Sequence, residues 1–161
     1  MVNKALFAGS FDPPTNGHLN LIRRAAEIFP GLCVLIANNT NKTYLFDADA
    51  RLAMMKELCR EMAHVSVDVY DGLVVQYAKD HDISVLIRGV RNINDFTYEF
   101  ELARMNKKLS ADVDVVFLPA DPVHEIVSSS AIKELAMYGV DISTMVPPLV
   151  ATSLKEKYHK G

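Results

Sequence analysis

Short apolar runs and helix-period stretches alternate along nearly the whole chain, and that alternation limits the folds open to it. Residues 5–8, 32–37, 65–69, 85–87 and 113–118 are brief and rich in β-branched side chains. Runs of this kind read as buried strands, because branched side chains pack well on a pleated surface. Between them Leu19, Ile22, Ala26 and Phe29 recur at helical spacing, as do Leu52, Met55, Leu58 and Met62, then Leu73, Tyr77 and Ala78. Phe96, Phe100, Ala103 and Met105 outline a fourth, less regular helix. The repeated strand–helix order predicts an α/β fold: a doubly wound, five-stranded parallel sheet with helices on both faces and right-handed crossovers. Such sheets bind ligands at the carboxyl ends of their strands, where the strand order reverses. The loops after the strands are therefore where chemistry is to be sought.

Gly139 reads as a helix stop, and Pro147-Pro148 sets off a last amphipathic segment over residues 149–158. There is no internal repeat, low-complexity tract or long linker, so residues 1–161 read as one domain. Half of the residues are hydrophobic and 23% are charged, which suits a folded core and excludes intrinsic disorder. With 17 basic and 20 acidic residues the formal charge is −3. That balance argues against broad binding of a nucleic-acid backbone, while a few local cations can still hold a small anion. No run of roughly 18 apolar residues suggests a membrane span. The apolar start of the chain runs directly into Gly9 and Asp12, too soon for a signal peptide. Cys33 and Cys59 have no metal-binding spacing and read as packed, reduced thiols, so the expected compartment is the cytoplasm.

Three strand-end loops carry the informative residues. The first reads Gly9-Ser10-Phe11-Asp12-Pro13-Pro14-Thr15-Asn16-Gly17-His18. It is neither a Walker A loop nor a GxGxxG turn. It nevertheless has the parts of an anion site: glycines that allow close backbone approach, a hydroxyl, and a histidine at a helix start whose free N–H groups favour negative charge. The plainer alternative is a proline-rich connector with Asn16 capping the helix. The second loop, Arg88-Gly89-Val90-Arg91-Asn92 with Asp95 and Glu99 beyond it, sets two guanidinium groups three residues apart. Each can fork onto phosphate oxygens, or both can pair with Asp95 and Glu99 on the surface. The third, Val127-Ser128-Ser129-Ser130-Ala131-Ile132-Lys133-Glu134, offers three hydroxyls at a helix start, able to cap the helix, bind phosphate, or both.

The first loop resembles the signature of the nucleotidylyltransferases, which share a T/H-x-G-H element with class I aminoacyl-tRNA synthetases. The second and third are similar to the arginine and I-S-S-S-x-[V/I]-K-E elements of the phosphopantetheine adenylyltransferases. The three matches occur in the family's order over nearly the whole chain. After the second strand, Lys42 matches the family's functional lysine although its neighbours do not, and His124 stands where the family commonly has an aromatic residue.

The resemblance implies a Rossmann-like nucleotidylyltransferase fold and transfer of AMP from ATP to 4′-phosphopantetheine, giving dephospho-coenzyme A and pyrophosphate. It implies His18 as the catalytic stabiliser of the α-phosphate. ATP would meet Ser10, Phe11, His18, Gly89, Val90, Arg91, Glu99, His124, Glu125, Ile126, Val127, Ser128, Ser129 and Ser130. Phosphopantetheine would meet Ser10, Lys42, Val74 and Arg88. Magnesium would arrive on the ATP phosphates with no dedicated protein ligands, since Mg²⁺ usually keeps several waters. No nucleic acid or membrane partner is expected, and the family implies a homo-oligomer, a hexamer. Two rival functions remain: a relative using another acceptor, such as nicotinamide mononucleotide or glycerol phosphate, and a non-catalytic nucleotide-binding module. The arginine loop and serine triplet argue against the first, and the intact glycines and His18 against the second.

Overall fold

The computed structural model describes residues 4–124 and 128–159. Five strands, β1 (Lys4–Gly9), β2 (Gly31–Ala37), β3 (Val65–Tyr70), β4 (Val85–Val90) and β5 (Asp114–Pro119), form one all-parallel sheet in the order β3-β2-β1-β4-β5. The helices are α1 (Asn16–Ile28), α2 (Ala48–Leu58), α3 (Val74–Asp80), α4 (Ile93–Leu109), α5 (Ser129–Met137) and α6 (Pro148–Tyr158), with a 3-10 turn at Pro122–His124. No helix among the described residues is long and apolar enough to cross a membrane.

Strand side chains alternate between two cores, as the two-residue period requires. Ala5, Phe7, Val34, Ile36 and Ile87 pack against Leu19, Ile22 and Ala25 of α1 and Met55 of α2. Leu6, Ala8, Leu35 and Leu86 face the other way, onto Val75, Tyr77 and Ala78 of α3. Helices thus cover both faces, as the sequence predicts. A third cluster joins Ile132 and Ala136 of α5 to Val150 and Leu154 of α6, with Phe46 and Met54.

Three details differ from the sequence expectations. Strand β4 continues through Arg88-Gly89-Val90, beyond its apolar run, because backbone pairing with β5 persists to Val90↔Pro119. Helix α1 is capped by Thr15, not Asn16: the Thr15 hydroxyl accepts from the His18 N–H at 3.2 Å. Asn16 is the first helical residue, and its side chain donates to the Thr144 carbonyl at 3.0 Å. Helix α4 has no buried residue, so its apolar side chains do not trace one inward stripe. Phe96 packs on Phe117 of β5, while Ile93, Tyr98, Met105 and Leu109 remain exposed.

The sheet parts where its order reverses. Strands β1 and β4 pair only over Ala5↔Val85, Leu6↔Leu86 and Phe7↔Ile87. By contrast, β1 follows β2 as far as Gly9↔Ile36. Beyond Phe7 the two central strands separate, and a crevice opens at their carboxyl ends.

Candidate active site

A cleft of about 310 Å³ occupies that crevice. Its walls include Gly9 and Thr15 from the first loop, Gly17 and His18 at the start of α1, Arg88 and Gly89 of β4, then Arg91, Glu99, His124, Ser128 and Ser129. Gly89 lets β4 approach α1 closely, since a Cβ there would lie 2.4 Å from Cδ1 of Leu21.

His18 is held by the helix start it belongs to. Its Nδ1 accepts the Thr15 backbone N–H at 3.0 Å, completing a reciprocal capping box in which histidine takes the place usual for glutamate. With Nδ1 accepting, the neutral ring carries its proton on Nε2. The ring also packs edge-on against Phe11, centroids 5.0 Å apart. Burial, reinforced by the positive charge of Arg91, lowers the His18 pKa from 6.5 to about 4. At neutral pH His18 is therefore an uncharged N–H donor. Its Nδ1 is occupied by Thr15, so no carboxylate orients it as a triad base.

The arginines divide their donors. Arg88 donates Nε and Nη2 to the two carboxylate oxygens of Glu99 at 2.8 and 2.7 Å. Its Nη1 reaches across the parted strands to the Ala8 carbonyl at 2.9 Å. Arg91 donates only Nε and its backbone N–H to Asp95, at 2.9 and 3.2 Å. The Arg91 hydrogen bond is the main reason the Asp95 carboxyl sits below its ordinary pKa. The pairing alternative thus holds, since each arginine is paired with a carboxylate, and each also lines the cleft. Pairing orients a guanidinium while leaving further N–H groups for an anion.

Ser128 caps α5 by accepting from the Ala131 N–H at 3.1 Å, and Ser129 donates to the Pro13 carbonyl at 2.8 Å. These bonds bring the α5 N-terminus to the first loop and to the cleft, so capping and anion binding are compatible. Ser130 is exposed in the first turn, and Val90 ends β4 outside the cleft lining. Ser10 is exposed. Phe11 is buried with φ of 49°, and its ring packs edge-on against that of His18. Val74 lies with Arg88 and Glu99 on an adjoining pocket of about 210 Å³. Lys42 stands apart from both, exposed in the loop between β2 and α2. Glu125, Ile126 and Val127 lie outside the described residues.

Sequence reasoning missed two buried charges beside the cleft. Asp12 accepts the backbone N–H groups of Leu45 and Phe46 at 2.8 and 2.9 Å and pairs with Lys133 at 3.2 Å. Arg51 of α2 is wholly buried and bonds the Ser10 carbonyl at 3.0 Å. The available signal for Arg51 was its spacing: it precedes Met54 and Met55 on the inward face of α2.

The site presents a neutral donor, two oriented guanidinium groups and two helix N-termini to one cavity. That combination suits a polyphosphate. A model of the Cytidylyltransferase-like family matches residues 6–135. The chain is 42% identical over 157 residues to phosphopantetheine adenylyltransferase of Thermobifida fusca, covering 98% of this chain and 95% of that one. It is 45% identical to the Carboxydothermus hydrogenoformans enzyme of the same name, covering 97% and 96% respectively. The chain belongs to the phosphopantetheine adenylyltransferase family. It is thus a nucleotidyltransferase by descent. The fold extends further: nicotinic acid mononucleotide adenylyltransferase of Plasmodium falciparum superposes with a TM-score of 0.70 at 14% identity, covering 99% of this chain and 97% of that one. A lipopolysaccharide core biosynthesis protein of Thermoplasma volcanium superposes with a TM-score of 0.55 at 20% identity, covering 74% and 96%.

The lowered pKa has a direct readout. In ¹⁵N NMR the His18 ring stays neutral, protonated on Nε2, from pH 8 down past pH 5, and gains its second proton near pH 4. Arg91→Ala raises that midpoint but leaves it below 6.5, because burial is the larger cause. The folded pKa is below the unfolded one, so this group's contribution to stability is complete above about pH 6.5 and declines toward pH 4. A ring that titrates at its ordinary pKa contradicts the burial argument.

Proposed function

We propose that this chain transfers the adenylyl group of ATP to the phosphate of 4′-phosphopantetheine, giving dephospho-coenzyme A and pyrophosphate. The observation that carries the reading is the arginine-lined cleft where β1 and β4 part, with a neutral His18 on its wall, in a chain of this family. An acceptor phosphate oxygen forms a bond to the α-phosphorus as the bond to the β-phosphate oxygen breaks and pyrophosphate leaves. The acceptor is itself the nucleophile, so the protein needs no covalent intermediate. Its task is to align two anions and stabilise charge at the α-phosphate.

His18 Nε2–H donates to the α-phosphate as negative charge builds there. Arg91, with donors beyond its Asp95 pair, and the α5 N-terminus at Ser128 and Ser129 hold the departing pyrophosphate. Backbone groups of Ser10, Phe11, Gly89 and Val90, with Glu99, Ser130 and the stretch His124 to Val127, complete the ATP side, and Glu99 also orients Arg88 toward the acceptor. Arg88 and Lys42 hold the acceptor phosphate, with Ser10 between the substrates. The shared pocket of Arg88 and Val74 supports assigning both to the pantetheine side.

Magnesium enters as part of the substrate. Asp95 and Glu99, the carboxylates that line the cleft, are both engaged by arginines. That donor set fits an ion held by phosphate oxygens and water. When bound, it would neutralise phosphate charge. Residues 1–161 act as a single catalytic domain. The free thiols Cys33 and Cys59 support a cytoplasmic location. The exposed apolar residues of α4 support a homo-oligomer, and the family a hexamer.

Three experiments test this reading. With Mg²⁺, ATP and 4′-phosphopantetheine, mass spectrometry detects dephospho-coenzyme A, and the acceptors nicotinamide mononucleotide and glycerol phosphate yield no adduct. In the same assay His18→Ala lowers kcat by about 10²–10³ while ATP affinity changes only a few-fold. An active, well-folded His18→Ala protein ends the catalytic assignment.

Calorimetry separates the cations. Lys42→Ala and Arg88→Ala weaken phosphopantetheine binding more than ATP binding, and Arg91→Ala does the reverse. Equal losses for both ligands in all three variants refute the partition.

Light scattering of the untagged protein gives a mass near six times the 17.9 kDa chain. A monomer at micromolar concentration excludes the assembly.

A further inference from the structure

Arg51 is the largest fully buried side chain of the described residues and bears a charge. Its guanidinium meets only neutral groups among them. Nε donates to the Phe46 carbonyl at 3.0 Å and more weakly to that of Asp47 at 3.3 Å. Nη1 donates to the Ser10 carbonyl at 3.0 Å, and Nη2 to the side-chain oxygen of Asn38. The carbon of the guanidinium lies 3.9 Å from the centre of the Tyr44 ring. Burying a cation without a carboxylate is costly, and a well-packed apolar side chain would serve stability as well or better. The arrangement calls for another reason.

Geometry supplies one. Asn38 and Phe46 are the two ends of the loop joining β2 to α2, and Lys42 lies between them. One planar guanidinium grips both ends and ties them to Ser10. Inside the loop, the Tyr44 hydroxyl accepts the Asn39 N–H at 2.9 Å, and the Lys42 N–H donates to the Asn39 carbonyl at 2.9 Å. Asn38 in turn donates to Asp71, just past β3, at 2.7 Å. Asn38, the Lys42 loop and Asp71 follow β2 and β3, on the far side of β1 from Arg91, while Ser10, and Phe46 through the core cluster it shares with Ile132 of α5, reach back toward the serines. We propose that Arg51 is a positioning residue for the acceptor half of the site: it clamps the loop that carries Lys42 and fixes Ser10 between the substrates.

A lysine in its place keeps the charge but cannot send fixed donors to three segments at once. The inference rests on the assignment of Lys42 to the acceptor phosphate, so the test includes Lys42→Ala by itself. Steady-state KM for 4′-phosphopantetheine, calorimetric Kd for ATP and Tm are measured for Arg51→Lys, Asn38→Ala, Lys42→Ala and the Arg51→Lys/Lys42→Ala pair. Asn38→Ala removes one grip at a partly exposed position, so it tests the clamp should Arg51→Lys fold poorly.

Arg51→Lys raises acceptor KM by about tenfold or more, the scale of a lost charged hydrogen bond, with ATP Kd within about twofold. Asn38→Ala shifts the same constant in the same direction by less. The double variant is no worse in acceptor KM than the more damaging single one, because Arg51 acts through Lys42. Additive losses, parallel losses for both substrates, or folded variants with unchanged acceptor KM overturn the proposal. A normal acceptor KM in Lys42→Ala identifies the Lys42 assignment as the failed step and removes the clamp's purpose with it.

Discussion

The separation of β1 from β4 is the constraint on which the site depends. Two adjacent parallel strands normally satisfy each other's backbone groups, and these do so for only three residues each. The remaining carbonyl of Ala8 is met by the Arg88 side chain instead. One bond closes a gap in the ladder and places a cation at the crevice mouth. The outer pairings keep β1 and β4 extended on their far sides, so the crevice has rigid walls. Catalysis by alignment needs that rigidity more than it needs reactive side chains.

Charge is managed by pairing and burial together. Arg88 and Arg91 are each oriented by a carboxylate from α4, and neither spends all of its donors. The same cleft that concentrates guanidinium charge prevents His18 from becoming a second kind of cation. Its ring is desolvated, faces Arg91 and accepts a backbone N–H, and all three favour the neutral form. The cleft thus presents permanent positive charges together with a neutral N–H donor. Asp12 and Arg51 extend the pattern inward, each binding backbone groups of the β2–α2 segment.

Much of this was legible from residue order. Five β-branched runs became five strands, since burial on both faces leaves a composition that needs no partner to recognise. Gly9 to His18, Arg88 to Arg91 and the serine triplet mark three strand-end loops, and the sheet brings all three to one crevice. Strand ends were less legible, as β4 shows, because a backbone ladder continues through Arg88 and Gly89 regardless of their polarity. The cap of α1 depended on geometry as well: Thr15 and Asn16 are both good caps by type, and only the reciprocal bond with His18 distinguishes them.

The sequence by itself determined the fold class, the three loops and the family, because periodicity and local motifs are properties of neighbours along the chain. Tertiary structure alone decided what each charged group does. Spacing puts Arg51 on the inward face of α2, but what it binds is set only when α2 docks it against Ser10, Asn38 and Phe46. Glu99 reads either as a ligand contact or as a partner of the arginines until the turn of α4 sets it against Arg88. The protonation state of His18 follows from the same cause: desolvation and distance to other charges are set by contacts remote in sequence, and no local pattern encodes them.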